Sequence, residues 1–264
     1  MTTIAGWMQQ HGDLSRCDRE LLLMDVLGKN RAYLIAHPEH FLDEATLNRI
    51  QEAVNRLRCG EPVAYVRGWK EFYGLRFEVS PAVLVPRPET ELLVELVVDL
   101  AEPNWSVLDL GTGSGAIAVS IANSRPELSI TATDISIEAL HVARKNAALH
   151  APQVRFFHSD WFSGISSTFD IVVSNPPYIG ESEPALESLH AEPRIALVSG
   201  CDGLSAIRKI ISTAAGRCRR MLLLEHGSTQ GPAVRSLLAA SGFRDVRTEH
   251  DLAGLDRISW GRLS

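Results

Sequence analysis

The sequence predicts an α/β protein: a mainly parallel, seven-stranded sheet between layers of helices, preceded by a small all-helical N-terminal domain and a β-hairpin linker. Three observations carry this expectation. From Ser106 onward, short apolar runs alternate with amphipathic helical stretches, the pattern of a parallel sheet covered on both faces. Ahead of residue 60, apolar residues recur at helical spacing. Between the two lies a stretch of aromatic and β-branched residues punctuated by Gly68 and Gly74, which reads as a hairpin. The expected boundaries are 1–60, 61–88 and 89–264.

In the first region Leu14, Cys17, Leu21, Met24 and Leu27 share one helical face. Ser15, three residues before Asp18, is placed as an N-cap, and Gly28 closes the segment. Leu47, Ile50, Val54 and Leu57 repeat the spacing over Asp43–Arg58, with His37-Pro38 between the two helices. In the linker, Tyr65, Val66, Phe72, Tyr73, Leu75, Phe77, Val79, Val83 and Val85 alternate with polar residues. Pro81, Pro86 and Pro88 stiffen its exit into a helix running from Glu89 to Leu100. Strands are then expected at Val107–Leu110, Ser129–Thr133, Val154–Phe157, Asp170–Ser174, Met221–Glu225, Arg244–Thr248 and Arg257–Trp260. Helices are expected at Ala116–Asn123, Ile137–Leu149, Leu204–Ala215 and Ala233–Ala240.

Composition narrows the class. With 45% hydrophobic and 22% charged residues the chain reads as a globular protein with a full core. Its net charge of −6 gives no phosphate-binding excess; Arg217, Arg219 and Arg220 form only a local cluster. Direct nucleic-acid binding is therefore not expected. The four cysteines are scattered without a Cys-x-x-Cys pair, which points to reduced thiols rather than a metal site. No stretch approaches the roughly 20 apolar residues of a membrane span, and the charged N-terminal stretch lacks the apolar core of a signal peptide. A cytoplasmic protein, monomeric by default, is the expectation.

Ligands of such sheets bind at the carboxyl ends of the strands, so the chemistry is sought there. After the first strand stand Asp109, Leu110, Gly111, Thr112, Gly113, Ser114 and Gly115, leading into a helix. Glycines at alternate positions let the backbone turn sharply and approach a ligand. The second strand ends in Asp134, placed to accept from ribose hydroxyls. Gly111-x-Gly113-x-x-Ala116 also meets a loose dinucleotide fingerprint, so a nicotinamide dehydrogenase competes. Asp109 argues against it: a carboxylate suits an amino-acid-bearing sulfonium and not a pyrophosphate. Asp109, the glycine loop and Asp134 resemble the class I methyltransferase signature, which implies a Rossmann-like fold and S-adenosyl-L-methionine, spent as S-adenosyl-L-homocysteine. Asp160 and Trp161, after the third strand, are candidates for the adenine amino group and the purine face; a solvated turn acid and a core aromatic are the plainer alternative.

The fourth strand ends in Asn175-Pro176-Pro177-Tyr178. Two prolines fix their own φ and donate no backbone hydrogen bond, but their carbonyls still accept. An Asn side-chain oxygen beside a proline carbonyl offers two acceptors for both hydrogens of a planar NH₂ group, and Tyr178 can stack on a flat target. The tetrapeptide resembles the motif of methyltransferases acting on exocyclic amino groups of DNA and on glutamine amides of proteins. By itself it does not choose between them.

The rest of the chain resembles one family nearly end to end. Glu20-Leu21-Leu22-Leu23, Ala36-His37-Pro38-Glu39, Gly60-Glu61-Pro62-Val63-Ala64-Tyr65, Glu71-Phe72-Tyr73-Gly74, Val85-Pro86-Arg87-Pro88-Glu89-Thr90-Glu91, Asp202-Gly203-Leu204, Leu224-Glu225-His226-Gly227 and Asp251-Leu252-Ala253-Gly254 carry the likeness. The family is that of the HemK-type peptide chain release factor glutamine methyltransferases. The resemblance implies methylation, at the side-chain amide nitrogen, of the glutamine of a Gly-Gly-Gln motif in release factors, with a helical domain that helps hold the partner. It implies roles for Asp109, Gly111 to Gly115, Asp134, Trp161 and Asn175 to Tyr178. Rival readings are a nucleic-acid aminomethylase, a ribosomal-protein glutamine methyltransferase and a binding module without turnover. Arg87, Glu89 and His226 lie near the motifs without an assigned role.

Overall fold

The structure is a computed structural model that describes residues 2–263. Its internal contacts divide it into two compact units, Met1–Gly68 and Trp69–Ser264.

The first unit runs β1 (Thr2–Thr3), α1 (Ile4–Gln10), α2 (Arg16–Leu27), α3 (Arg31–Ala36), β2 (Phe41–Leu42), α4 (Glu44–Arg58) and α5 (Val63–Arg67). Its first four helices each start on a short polar side chain that accepts a hydrogen bond from an otherwise orphaned amide. Thr3 takes Gly6 N at 3.1 Å, Ser15 takes Asp18 N at 3.0 Å, Asn30 takes Tyr33 N at 3.0 Å and Asp43 takes Thr46 N at 2.7 Å. Gly28 ends α2 at φ 63°, a left-handed conformation that glycine adopts without steric cost. Ile4, Trp7, Leu22, Leu23, Leu34, Ile50 and Val54 are buried together. Two features depart from the expectation. The two-residue ribbon β1–β2 pairs Thr2 with Leu42. Val63–Arg67, which contains Tyr65 and Val66 of the expected hairpin, is helical and stops at Gly68 (φ 79°).

In the second unit a hairpin of β3 (Trp69–Phe72) and β4 (Leu75–Glu78) leads to α6 (Glu91–Leu100). There follow β5 (Ser106–Leu110), α7 (Ala116–Ser124), β6 (Ser129–Asp134), α8 (Ile137–His150), β7 (Arg155–His158) and β8 (Phe169–Ser174). The chain continues through α9 (Ala185–Ser188), α10 (Ser205–Ala214), β9 (Cys218–Glu225), α11 (Gly231–Ala240), β10 (Arg244–His250) and β11 (Asp256–Arg262). The seven expected strands form one sheet in the order β10-β11-β9-β8-β5-β6-β7, parallel except for the pairings of β11. Strand order reverses beside β5, where Leu110 pairs with Ser174 of β8. The loops leaving these two strands therefore open at the switch point, where a crevice forms.

Period-two alternation sorts the strand residues between two cores. Val107, Ile171, Val173, Met221 and Leu223 pack on the side of α6 and α7. Leu108, Leu110, Val172, Leu222 and Leu224 pack on the side of α10 and α11. Continuing the alternation puts Asp109, Asn175 and Glu225 on the α6–α7 face. Three polar side chains thus come off one face of the sheet at its carboxyl end.

Candidate active site

A cavity of about 440 Å³ opens at the carboxyl ends of β5, β6 and β8. Its floor is the glycine loop. Gly111, Gly113 and Gly115 have φ of 71°, 56° and 83°, values strained for any residue with a Cβ. At Gly113 a Cβ would meet nothing within 4 Å, because the loop there faces open space; at Gly115 it would come 3.2 Å from Ala143 of α8. The loop is held from both ends. Thr112 N donates to Thr133 O at 2.9 Å, and Gly113 N donates to Asp134 Oδ2 at 2.8 Å. Asp134 Oδ1 accepts from Ser136 N at 2.9 Å. Each oxygen keeps a second lone pair, and the residue lines the cavity. Burial raises the Asp134 carboxyl above its ordinary value, against the backbone N–H groups of Ser136 and Gly113.

Asp109 lies behind this wall rather than on it. Fully buried, it accepts from Thr112 Oγ1 at 2.6 Å through Oδ2, while Oδ1 has no hydrogen-bond partner among the described residues. Burial pushes its carboxyl up to about 7. Asn146, buried on α8, is a further brace that the sequence did not single out. It donates to Ser114 O at 2.9 Å and exchanges hydrogen bonds with the backbone of Glu78.

The far wall carries Asp160 and Trp161. Trp161 sits at φ 52°, a left-handed conformation that a bulky residue holds only when its surroundings impose it. Ser159 Oγ accepts from Gly164 N at 2.8 Å and donates to Trp161 O at 2.8 Å, closing the turn. The ring is so near Gly111 that a Cβ there would lie 3.3 Å from it. Asp160 is bridged by Lys209 of α10 at 2.7 Å, both side chains about half exposed. Such a pair is weak and exchangeable, so the carboxylate remains open to another donor.

At the end of β8 the described residues place Asn175 and Pro177 on the cavity wall; Pro176 is buried and, like Tyr178, Asp109 and Gly115, is not part of the lining. Asn175 Nδ2 donates to Thr90 Oγ1 at 3.1 Å. Its Oδ1 is buried without a hydrogen-bond partner among the described residues. Buried acceptors are rarely left unsatisfied, and the residue that carries this one lines the cavity. Tyr178 is half-buried; burial, and then the charge of Glu225, push its hydroxyl up to about 12. Its carbonyl accepts from Gln230 Nε2 at 3.0 Å.

The chain after the tetrapeptide pairs with a distant segment to complete the wall. Ile179 N donates to Leu197 O and Ser199 N to Ile179 O, each at 2.9 Å. This brings Pro193, Ile195, Ala196 and Val198 to the cavity, with Ile195 61% exposed at its rim. Ala82, Val83, Leu84, Pro86 and Arg87 line it as well. Glu192, buried, joins the two sides: it accepts from Val85 N at 3.0 Å and is ion-paired to Arg87. That pairing gives Arg87 its place. Glu89 and His226 are not lining residues; His226 is fully buried, with Nε2 2.8 Å from Ser259 Oγ and Nδ1 2.9 Å from Gly227 O.

Comparison with known proteins bears on this geometry. The profile described as "Methyltransferase small domain" matches residues 88–200, and that described as "PrmC N-terminal domain" matches residues 8–68. A release factor glutamine methyltransferase of Burkholderia pseudomallei is 46% identical, over 95% of this chain and 93% of the relative. One from Neisseria gonorrhoeae is 45% identical over 94% of each. Among solved structures, a methyltransferase from Pyrococcus furiosus superposes with TM-score 0.56 at 20% identity, covering 83% of this chain and 98% of that one.

Proposed function

Because this chain belongs to the family of release factor glutamine methyltransferases, we propose that its cavity binds S-adenosyl-L-methionine beside the side-chain amide of a release factor glutamine, held by Asn175. The observation that carries the reading is Asn175 on the cavity wall, with an Oδ1 that is buried and has no hydrogen-bond partner among the described residues. A glutamine NH₂ is a planar donor of the kind that oxygen lacks.

The residues present fit the methyl donor. Gly111 to Gly115 cradle its amino-acid end, with Thr112 and Ser114 on the wall. Asp134 offers its free lone pairs to the ribose hydroxyls, Asp160 accepts from the adenine amino group, and Trp161 lies along the purine. Asp109 acts from behind, bracing the loop through Thr112. The donor supplies an electrophilic methyl group and leaves as S-adenosyl-L-homocysteine.

The protein's part is positioning and electrostatics. Asn175 Oδ1 takes one amide hydrogen, with the Pro176 carbonyl as the candidate acceptor for the other and Tyr178 beside the amide plane. Pro177 keeps the turn rigid. The nitrogen then presents its out-of-plane face to the methyl group. That face would take the donor's methyl group in exchange for the amide proton, which would leave for water, so no strong base is required of the protein. A Gly-Gly-Gln loop is narrow enough to enter such a cavity. The helical unit is proposed to hold the release factor. Among the described residues no helix is long and apolar enough to cross a membrane, in keeping with a cytoplasmic enzyme, proposed to be a monomer.

The test is mass spectrometry of unmethylated release factor incubated with the protein and S-adenosyl-L-methionine. One methyl on the glutamine of Gly-Gly-Gln is expected. Losing one pre-oriented hydrogen bond typically costs about 10²–10³ in rate, and Asn175→Ala should fall by that much while cofactor binding persists. No added methyl by the unaltered protein, with cofactor binding intact, refutes the assignment.

A further inference from the structure

Glu225 stands at the end of β9, and the register that pairs Ser174 with Leu224 sets it beside Asn175. Its exposure is 1% and its Oε2 has no hydrogen-bond partner among the described residues. A buried carboxyl is costly, and nothing in the substrate chemistry above uses it. Its surroundings come from several elements. Thr90, preceding α6, and Asn175 both lie against the carboxyl and favour its charged form, as does Arg257 of β11; Glu89 opposes it. Tyr178 also faces it.

We propose that Glu225 is a positioning residue which, through Thr90, fixes the direction in which the Asn175 amide faces. The Thr90 hydroxyl accepts from Asn175 Nδ2 at 3.1 Å. Having accepted, it has one proton to give, and we assign the Glu225 carboxyl, against which Thr90 lies, as its acceptor. An ionised carboxylate only accepts, so the chain of hydrogen bonds runs one way: amide N–H to hydroxyl, hydroxyl to carboxylate. The amide nitrogen is then turned towards Thr90, and Oδ1 is held on the side away from Thr90, as the acceptor left for the substrate. A protonated Glu225 reverses the chain. It donates to Thr90, whose hydroxyl then donates to Oδ1, and the amide turns its NH₂ towards the substrate's own NH₂. Two donors face each other and the amide is not held.

Charge on Glu225 therefore selects the productive face of Asn175. Burial, the largest influence, pushes this carboxyl up to about 7, so the selection operates at neutral pH. Asp109 titrates in the same range but is buried beneath the glycine loop against Thr112.

This inference rests on the amide-binding role of Asn175, and its test separates the two. Single-turnover rates on release factor are measured from pH 6 to 9 for the unaltered protein, Glu225→Gln, Thr90→Val and Thr90→Ser. Misplaced reacting groups cost about 10–100-fold in rate. Glu225→Gln, which no longer fixes the direction, and Thr90→Val, which breaks the chain, should each lose at least about tenfold in kcat. KM for the methyl donor should stay unchanged, and Thr90→Ser should keep the rate. The unaltered protein should lose activity as pH falls through about 7, and Glu225→Gln should not. A second readout needs no substrate and remains valid for a variant that is folded but inactive: the ¹H–¹⁵N resonances of the Asn175 side chain, read where the backbone spectrum shows the native fold. They should titrate near neutrality in the unaltered protein and in Thr90→Ser, and stay flat in Glu225→Gln. Absence of methyl transfer by the unaltered protein counts against the function alone. An acidic limb and an Asn175 titration that persist in Glu225→Gln overturn the role of Glu225.

Discussion

Replacing Asp109 by Asn should stabilise the protein at pH 8 and leave it almost unchanged at pH 4. The carboxyl is fully buried, has one oxygen without a partner among the described residues, and is pushed by burial from 3.8 up to about 7. Between those two values the unfolded chain has released the proton and the folded protein has kept it. Stability therefore falls as pH rises through this window and is lowest above 7. At about 1.4 kcal/mol per pH unit, the accumulated penalty is about 4 kcal/mol. For a unit of this size 1 kcal/mol moves the midpoint by about 2–4 °C, so the gain at pH 8 is on the order of 10 °C. Asn keeps an oxygen to accept from Thr112 and carries no charge. The assay is a thermal melt of cofactor-free Asp109→Asn and unaltered protein at half-unit steps from pH 4 to 8.5. A Tm difference that stays constant across that range would refute the reasoning, whatever its sign.

Four further variants, at three residues, probe the walls of the cavity. Trp161→Ala should weaken cofactor binding by about tenfold in calorimetry, since base–aromatic stacking is worth about 1–3 kcal/mol. Because residue 161 sits at φ 52°, Trp161→Gly should melt no lower than Trp161→Ala despite losing a further carbon. Glu192→Ala leaves the buried Val85 N–H without its acceptor and should cost about 1–3 kcal/mol in chemical denaturation. Arg87→Ala should cost less, because Glu192 still accepts from Val85; equal losses would mean that the ion pair, not the backbone contact, joins the walls.

Sequence periodicity located what is local. All seven strands of the main sheet appear within a few residues of their expected ends, because strands covered on both faces write themselves into the sequence as short apolar runs. The glycine loop and Asn175-Pro176-Pro177-Tyr178 were legible because their chemistry is carried by adjacent residues. Val63–Arg67 was misread because Tyr65 and Val66 favour strands, whereas Pro62 before the helix and Gly68 after it decide the outcome. The two-residue strands β1 and β2 are too short to show a period. Partners from distant sequence left no trace either. Glu192 meets Val85 and Arg87 across more than 100 residues, and its own segment is irregular. Glu225 looks like any acid at a strand end until the sheet sets it beside Asn175.

The place of β11 bears on how the protein is made. Asp256–Arg262 is the last strand in chain order, yet it lies inside the sheet between β10 and β9. Until it is synthesised, β9 presents an unpaired, apolar edge, the kind of surface that recruits other strands. Translation at about 5–20 residues per second leaves that edge open for a few seconds after Glu225 emerges. During that interval the end of β9, Glu225 included, has β8 on one side and no strand on the other.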